Sequence, residues 1–298
     1  GKAEEIKKRM EALSPDIVIG MKYLYSNMPY SDVGNYTFDT YLDYVQQGIY
    51  LWENSPYVKN YPELYFLNYV LFHRTNDEEI KPCRTYFWEK IKDKVQGKTM
   101  VEAALEINHW CAGEVMYQGT DMRTGSALEI YRSGVGRCGE EAVFVVNVMR
   151  SAGIPARPVY VPRWSHCDDN HAWVEVWCDG DWHYLGACEP EAVLDKSWFT
   201  NAASRAMMIG SRWYDRAMPD EKVIGKDGMN RIINLLGKYA KTRWITITVE
   251  DLDGTPAAGA KVRAEVMNYG EFSPIAIMEA DKNGCISFET GFGSLLIC

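Results

Sequence analysis

A cysteine and a histidine 33 positions apart are the residues of this chain best suited to covalent chemistry. Cys138 lies in the glycine-rich run Ser133–Ala142, just ahead of an apolar, helix-like segment. His171 opens the run His171–Val176, whose composition is typical of a β-strand. A thiol and an imidazole are the nucleophile and the base of acyl transfer. We therefore predict that Cys138 is a catalytic nucleophile and that His171 is its base.

The position of Cys138 ahead of a helix gives this prediction a physical basis. The thiolate is the reactive form, and the positive end of a helix lowers the pKa of a thiol. The backbone N–H of the cysteine would face a developing oxyanion. The alternative is that Cys138 is a small core residue, but the flanking Gly134, Gly136 and Gly139 favour a reactive loop.

The elements around the two residues can be read from turn signals. The helix after Cys138 should end at Gly153. His171 to Cys178 and Asp181 to Leu185 should pair as a hairpin around Asp179-Gly180. Strict register pairs Cys178 with Asp181 and, when extended, His171 with Cys188. An acid that orients His171 should therefore come from residues 186–190.

Three segments together resemble the transglutaminase-like superfamily: Gly136–Glu140, Met149–Arg157 and His171–Val176. The resemblance covers about residues 100–195. It implies an α+β, papain-like core and a Cys-His-Asp triad acting on amide bonds. The superfamily includes crosslinking transglutaminases, bacterial proteases and peptide N-glycanases, and the run Arg137–Glu140 is similar to the last group.

One departure from this resemblance concerns the third catalytic residue. An aspartate is expected four residues after the hairpin tryptophan, Trp182, where this chain has Gly186. Glu189-Pro190 resembles the expected Asp-Pro, displaced by three residues. Strict register would point Glu189 away from His171, and a bulge at Gly186-Ala187 would correct this. We predict Glu189 as the acid; otherwise the site is a dyad or an inactive relic.

Two tryptophans are candidates for substrate binding. We expect Trp164 and Trp173 to form walls of the active-site cleft, although Trp173 could equally be a core residue. A zinc site at His166-Cys167 and His171 is a weaker interpretation, because the spacing lacks a second well-formed ligand pair. We expect no metal and no cofactor.

Composition excludes several classes of protein. The 298 residues include 41 acidic and 32 basic side chains, for a net charge of -9, which disfavours nucleic acid as a partner. The 47% hydrophobic content suffices for a core, yet no apolar run is long enough to span a membrane. Polypeptide or glycopeptide is the expected substrate.

The chain divides into three predicted regions. Residues 1–100 should form a helical region packed on the core. Residues 101–240 should form the catalytic core, with a wrapping segment over residues 193–231 and then a short helix at 232–239. Residues 243–298 show strand alternation and resemble immunoglobulin-like, carboxypeptidase-regulatory-type β-sandwich modules. Because the last strand signals stop at residues 295–298, we expect this module to be cut short.

These observations support two hypotheses from different classes. The first is a cysteine-dependent enzyme that acts on amide bonds: an amidase or protease, including a peptide N-glycanase-like amidase, or a transglutaminase. Hydrolysis is favoured because no calcium-loop signature is present. The second is a catalytically inactive relative that binds polypeptide or glycan. By analogy with cysteine hydrolases that carry β-modules, we expect an extracellular or periplasmic location, with a leader removed ahead of Gly1.

Overall fold

A computed structural model describes residues 1–214, 221–227 and 230–298. The chain forms two compact units. The first comprises Gly1–Pro158 and Trp173–Ser197, with Tyr214, and the second comprises Val159–Ala172, Trp198–Trp213 and the described residues after 220. Residues 215–220 and 228–229 of the predicted wrapping segment lie outside the described residues. The boundaries expected at residues 100 and 240 stay a prediction.

The first unit is built mainly from helices. In chain order these are α1 (Lys2–Met10), α2 (Pro15–Asn27), α3 (Tyr30–Asn35), α4 (Phe38–Asn54), α5 (Glu63–Phe66), α6 (Arg84–Val95), α7 (Met100–Glu114), α8 (Ala127–Ser133) and α9 (Cys138–Ser151). A 3-10 turn at Val58–Asn60 precedes α5, and a π-helical turn at Leu67–Leu71 follows it.

Local capping explains where two of these helices begin. Thr99 and Glu102 form a reciprocal capping box at the start of α7, and Ser126 and Glu129 do so for α8. Each box satisfies backbone N–H groups that the helix itself leaves without a partner. Gly134 ends α8 with a positive φ of 70°, a conformation that glycine adopts without strain.

The strands of the first unit carry the predicted hairpin. β1 (Met116–Tyr117) pairs in parallel with β2 (Val135–Gly136). β3 (Ala156–Val161) and β4 (His171–Cys178) both continue into the second unit, and β4 pairs with β5 (Asp181–Leu185). The pairs run from Val174 with Leu185 to Cys178 with Asp181, which confirms the predicted register.

The second unit contains one short helix, α10 (Thr200–Ala203), and strands β6 (Gly210–Trp213), β7 (Lys222–Asp227), β8 (Asn230–Asn234), β9 (Arg243–Thr248), β10 (Lys261–Asn268), β11 (Glu271–Glu279), β12 (Cys285–Thr290) and β13 (Leu296–Ile297). β6 and β7 flank β8, β9 pairs with β12, and β10 pairs with β11 and β13. Apolar side chains such as Val262, Ile275 and Phe288 form the core of this β-region.

The predicted α+β class, with helices first and a β-region last, is confirmed. The prediction of a short helix over residues 232–239 is wrong. Ile232 and Ile233 belong to β8, where they pair with β6 and β7, and only a 3-10 turn at Leu236–Lys238 follows. Cross-strand pairing outweighs helical propensity over so short a segment. Whether the last module is immunoglobulin-like stays a prediction.

A buried ionic cluster holds α3 against the chain that follows the π-helical turn. Asp32 is 1% exposed and accepts hydrogen bonds from Arg74 Nε at 2.8 Å and Nη2 at 2.6 Å. His73 Nε2 lies 2.9 Å from the same carboxylate. Burial opposes ionisation, but the hydrogen bonds from His73 and Arg74 outweigh it and lower the pKa of Asp32.

We expect Asp32→Asn to lower the free energy of unfolding by about 3 kcal/mol at neutral pH, because it removes the nearer counter-ion of the buried Arg74 and leaves only Glu78 at 3.9 Å. The carboxylate of the folded protein has the lower pKa, so its stabilisation is present above the unfolded value of ~3.9 and is lost as the pH falls through the folded value. Urea unfolding over a pH series would measure this. Asp39→Asn, at the exposed pair with Arg9, is the control and should keep the wild-type unfolding midpoint. Equal effects of the two variants would contradict the account.

Candidate active site

Cys138 is the first residue of α9, directly after the short strand β2 and the extended Arg137. Twelve of the helix's residues, from Glu140 to Ser151, are buried, whereas Cys138 is half-buried. The thiol therefore stands at the end of the helix where N–H groups lack intrahelical partners and the helix dipole is positive. A Cβ at Gly139 would meet nothing within 4 Å, so space is open beside the cysteine.

Glu140 fixes the loop that presents Cys138. Its carboxylate accepts hydrogen bonds from the backbone N–H of Arg137 at 3.2 Å and of Gly125 at 3.1 Å, and from Thr120 Oγ1 at 2.5 Å. The side chain is 6% exposed. Gly136 is required for close approach here, because a Cβ would lie 3.1 Å from that of Glu140. The preceding loop and the first turn of α9 are thereby held together.

His171 is the first residue of β4 and belongs to the second unit. Its ring lies 4.8 Å from that of Trp198 and 5.0 Å from that of Phe199, measured between centroids. Phe199 is fully buried, whereas Trp198 is 64% exposed. Burial lowers the pKa of His171 to about 4, although the charge of Asp169 acts in the opposite direction. The imidazole is therefore neutral at neutral pH, which is the form that accepts a proton.

The return strand ends earlier than the extended register requires. β5 stops at Leu185, and a tight turn follows in which Glu189 N–H donates to the Gly186 carbonyl at 3.2 Å. Cys188 adopts a positive φ of 56° in this turn. A turn, and not the predicted bulge within a continuing strand, therefore determines where Glu189 lies.

The Glu189 carboxylate lies over Gly186. A Cβ built on Gly186 would be 2.3 Å from Glu189 Oε2 and 3.2 Å from Cδ. The glutamate thus takes the space that a side chain at position 186 would occupy. On α9, one turn after Cys138, Glu141 is 4% exposed, and burial followed by the charge of Glu189 raises its pKa to about 8.

Asn108 on α7 holds the same turn. Its Nδ2 donates to the Gly186 carbonyl at 2.9 Å, and its Oδ1 accepts from Cys188 N–H at 3.0 Å. The side chain is buried, with 1% exposure. Both polar atoms of the amide are therefore used by one short segment.

The two predicted substrate-binding tryptophans are both buried. Trp173 is fully buried and Trp164 is 3% exposed. Neither presents an indole face to solvent in this structure, and their role as cleft walls stays a prediction. Cys138, Glu189 and Trp173 belong to the first unit, and His171 and Trp164 to the second. The pairing of Cys138 with His171 likewise stays a prediction.

Sequence reasoning missed Trp198, Asn108 and Glu141. The pair Trp198-Phe199 was recognisable only as an apolar segment, and the contact of its rings with His171 depends on tertiary structure. Asn108 lies in a helical pattern with no turn signal beside it. Glu141 lies three residues after Cys138 in the sequence, but only the structure shows that the charge of Glu189 acts on it.

Two further properties concern metal and membrane. In the ranges that the structure covers, no group of three or more histidine, cysteine or acidic side chains could hold a metal ion. No helix among those residues is long and apolar enough to cross a membrane.

A family model described as the transglutaminase-like superfamily matches residues 89–187. Among solved structures, the chain is similar to a candidate cysteine protease from Cytophaga hutchinsonii, at 14% identity and a TM-score of 0.30, covering 51% of this chain and 57% of that one. It is also similar to a candidate protease from Parabacteroides distasonis, at 14% identity and a TM-score of 0.33, covering 58% of this chain and 29% of that one.

A third similar structure is red sea bream transglutaminase, at 12% identity and a TM-score of 0.34, covering 96% of this chain and 59% of that one. The chain therefore spans less than two thirds of each of these proteins. No curated protein matches. The matched segment includes α7, α9 and the β4–β5 hairpin with Cys138, His171 and Gly186. Residues 89–187 therefore match the transglutaminase-like superfamily.

Proposed function

We propose that this protein is a cysteine-dependent enzyme that transfers an acyl group from an amide bond, with Cys138 as nucleophile and His171 as base. The observation that carries the proposal is the position of Cys138, a half-buried thiol on the first residue of a buried helix inside the superfamily domain. A thiol there meets the positive end of the helix, and in acyl-transfer sites of this kind the backbone N–H of the nucleophile faces the developing oxyanion.

The reaction proceeds in two balanced steps. The Cys138 sulfur attacks the amide carbonyl carbon while His171 takes the thiol proton and delivers it to the leaving amine, which breaks the C–N bond and forms a thioester. Water, or a second amine, then attacks the thioester while His171 takes a proton from it and delivers that proton to the leaving sulfur, which breaks the C–S bond and releases the carboxylic acid or the new amide. Hydrolysis is the favoured outcome, which makes the protein an amidase or protease for polypeptide or glycopeptide.

The low pKa of His171 explains why an acid is needed. Burial disfavours the imidazolium that forms when the thiol proton is taken up. A carboxylate that accepts from the imidazole stabilises that cation and fixes the ring orientation. We assign this role to Glu189, which takes the space beside Gly186 where the superfamily resemblance expects an aspartate.

The glycine at position 186 also supports a second candidate function. Loss of the expected acid at this position fits a catalytically inactive relative that binds polypeptide or glycan, and an exposed indole such as Trp198 suits either ligand. Thiol reactivity separates the two functions, because a binding protein has no need of an activated cysteine. An extracellular or periplasmic setting is a further proposal, by analogy alone.

We expect iodoacetamide to alkylate Cys138 at pH 7 at least about tenfold faster than Cys167, because a thiolate reacts and a thiol does not. Cys167 is an exposed thiol of the same chain, and burial followed by the charge of Asp169 raises its pKa. Peptide mass spectrometry gives both rates in one sample. His171→Ala should slow Cys138 and leave Cys167 unchanged. Equal rates at the two cysteines in the wild type would favour the binding function.

We expect Glu189→Gln to reduce the alkylation rate of Cys138 by about tenfold, because the neutral amide no longer stabilises the imidazolium. Glu191→Gln is the matched control, two residues away and paired with Lys196 at the surface. It should keep the wild-type rate. If Glu189→Gln also kept that rate, Glu189 would not be the acid and a Cys-His dyad would remain.

We expect Trp198→Ala to raise the pKa of His171 from about 4 towards the ordinary value of ~6.5, because removal of the exposed indole admits water to the ring. NMR titration of the imidazole protons measures this pKa directly. Trp244→Ala, which removes another exposed tryptophan of the same unit, should leave it unchanged. An unchanged pKa in Trp198→Ala would show that the indole does not shield the imidazole.

A further inference from the structure

Gly186 is explained by the space around it and not by its backbone conformation. Gly186 is not among the residues with a positive φ, so its backbone conformation is open to other residues. The space around it is not open, because a Cβ would lie 2.3 Å from Glu189 Oε2 and 2.8 Å from Glu189 Cβ. Glycine at this position therefore leaves room for the Glu189 carboxylate.

The turn that brings Glu189 there is unfavourable by itself. Cys188 has a φ of 56°, a left-handed conformation that costs a residue with a side chain roughly 1 kcal/mol or more. Contacts from outside the turn help to offset this cost. Asn108 supplies two close contacts of this kind, one to the Gly186 carbonyl and one from Cys188 N–H, and a longer one from Nδ2 to the Glu189 carbonyl at 3.5 Å.

The side-chain amide is chemically matched to these two contacts. One partner is an acceptor and the other a donor, and of the common small side chains only an amide presents a donor and an acceptor side by side. Aspartate has nearly the same shape but cannot donate when ionised. Asn108 is buried on the capped helix α7, so its position is fixed independently of the turn.

Glu141 contributes to the same arrangement through its protonation. Its raised pKa of about 8 keeps it neutral at pH 7, so it does not repel the Glu189 carboxylate.

We propose that Asn108 is a positioning residue for the acyl-transfer reaction, whose amide holds the turn so that the Glu189 carboxylate stands where a side chain of residue 186 would be. The acid of the site is thereby supplied from position 189 through the paired use of Gly186 and Asn108. This inference rests on the proposed function, since it concerns the acid of the same site.

The first test is a double-mutant cycle read out by the alkylation rate of Cys138 with iodoacetamide at pH 7. We expect Asn108→Asp to slow Cys138 about three- to tenfold and Glu189→Ala about tenfold. The combined variant should be no slower than Glu189→Ala, because Asn108 acts only through Glu189. Asn54→Ala, an exposed asparagine at the end of α4, is the control. Multiplying effects in the combined variant would overturn the proposal.

The second test moves the acid and does not depend on the stability of Asn108 variants. Gly186→Ala forces the carboxylate and its turn to shift, and it should slow Cys138 by a factor similar to that of Glu189→Ala. The exchange of Gly186→Asp with Glu189→Gly places a carboxylate on residue 186 and removes the clashing Cβ. This double variant should restore most of the alkylation rate of Cys138, and NMR should give His171 a pKa close to its wild-type value. No recovery, in a variant with wild-type circular dichroism, would overturn the proposal.

The outcomes separate this inference from the proposed function. A wild-type Cys138 that labels like Cys167 and ignores His171→Ala overturns both. A reactive Cys138 that needs His171 and Glu189 but is unchanged in Asn108→Asp and Gly186→Ala overturns the inference alone. A reactive Cys138 that needs all four residues, with a non-multiplying cycle, supports both.

Discussion

The buried path of α9 is the constraint on which the candidate site depends. Because the helix is enclosed from Glu140 to Ser151, every polar group on it needs a protein partner. Asn147 accepts from Arg84 Nε at 3.1 Å, and Arg150 donates to the Phe72 and Arg74 carbonyls, each at 3.1 Å. These bonds fix the axis of the helix within the first unit.

With the axis fixed, the first turn of α9 has little freedom. Glu140 ties that turn to the preceding loop through Arg137 and Gly125, and Gly136 permits the close approach. Cys138 is consequently held at the end of the helix, half-buried, where the dipole and the N–H groups act on its sulfur. The same helix places Glu141 where the charge of Glu189 acts on its carboxyl group.

Burial shifts the pKa values of two titratable groups, one in each unit, in opposite directions. It lowers the pKa of His171 to about 4, which leaves a neutral base, and raises that of Glu141 to about 8, which leaves a neutral neighbour for Glu189. Groups with pKa values displaced by burial are frequent at functional sites. A neutral Glu141 does not repel the carboxylate of Glu189 in the same unit.

Much of this could be predicted from local signals. Three such signals involve only residues that are neighbours in the sequence: the glycines around Cys138, the Asp179-Gly180 turn and the alternation in residues 243–298. The hairpin register follows from the turn alone. The turn that contains Glu189 could not be predicted, because it is hydrogen-bonded to Asn108, far away in the chain. The contact of Trp198 with His171 is equally non-local. The helix predicted over residues 232–239 failed because the strand pairing of Ile232 and Ile233 is not visible locally.

The most direct test of the central claim is the thiolate titration of Cys138, followed by ultraviolet absorbance as the difference between wild type and Cys138→Ser. If the helix end and His171 activate the thiol, the midpoint of the Cys138 titration lies well below the ordinary thiol pKa of ~8.5, and it shifts upward in His171→Ala. A midpoint at or above that value, unchanged by the loss of His171, would contradict it.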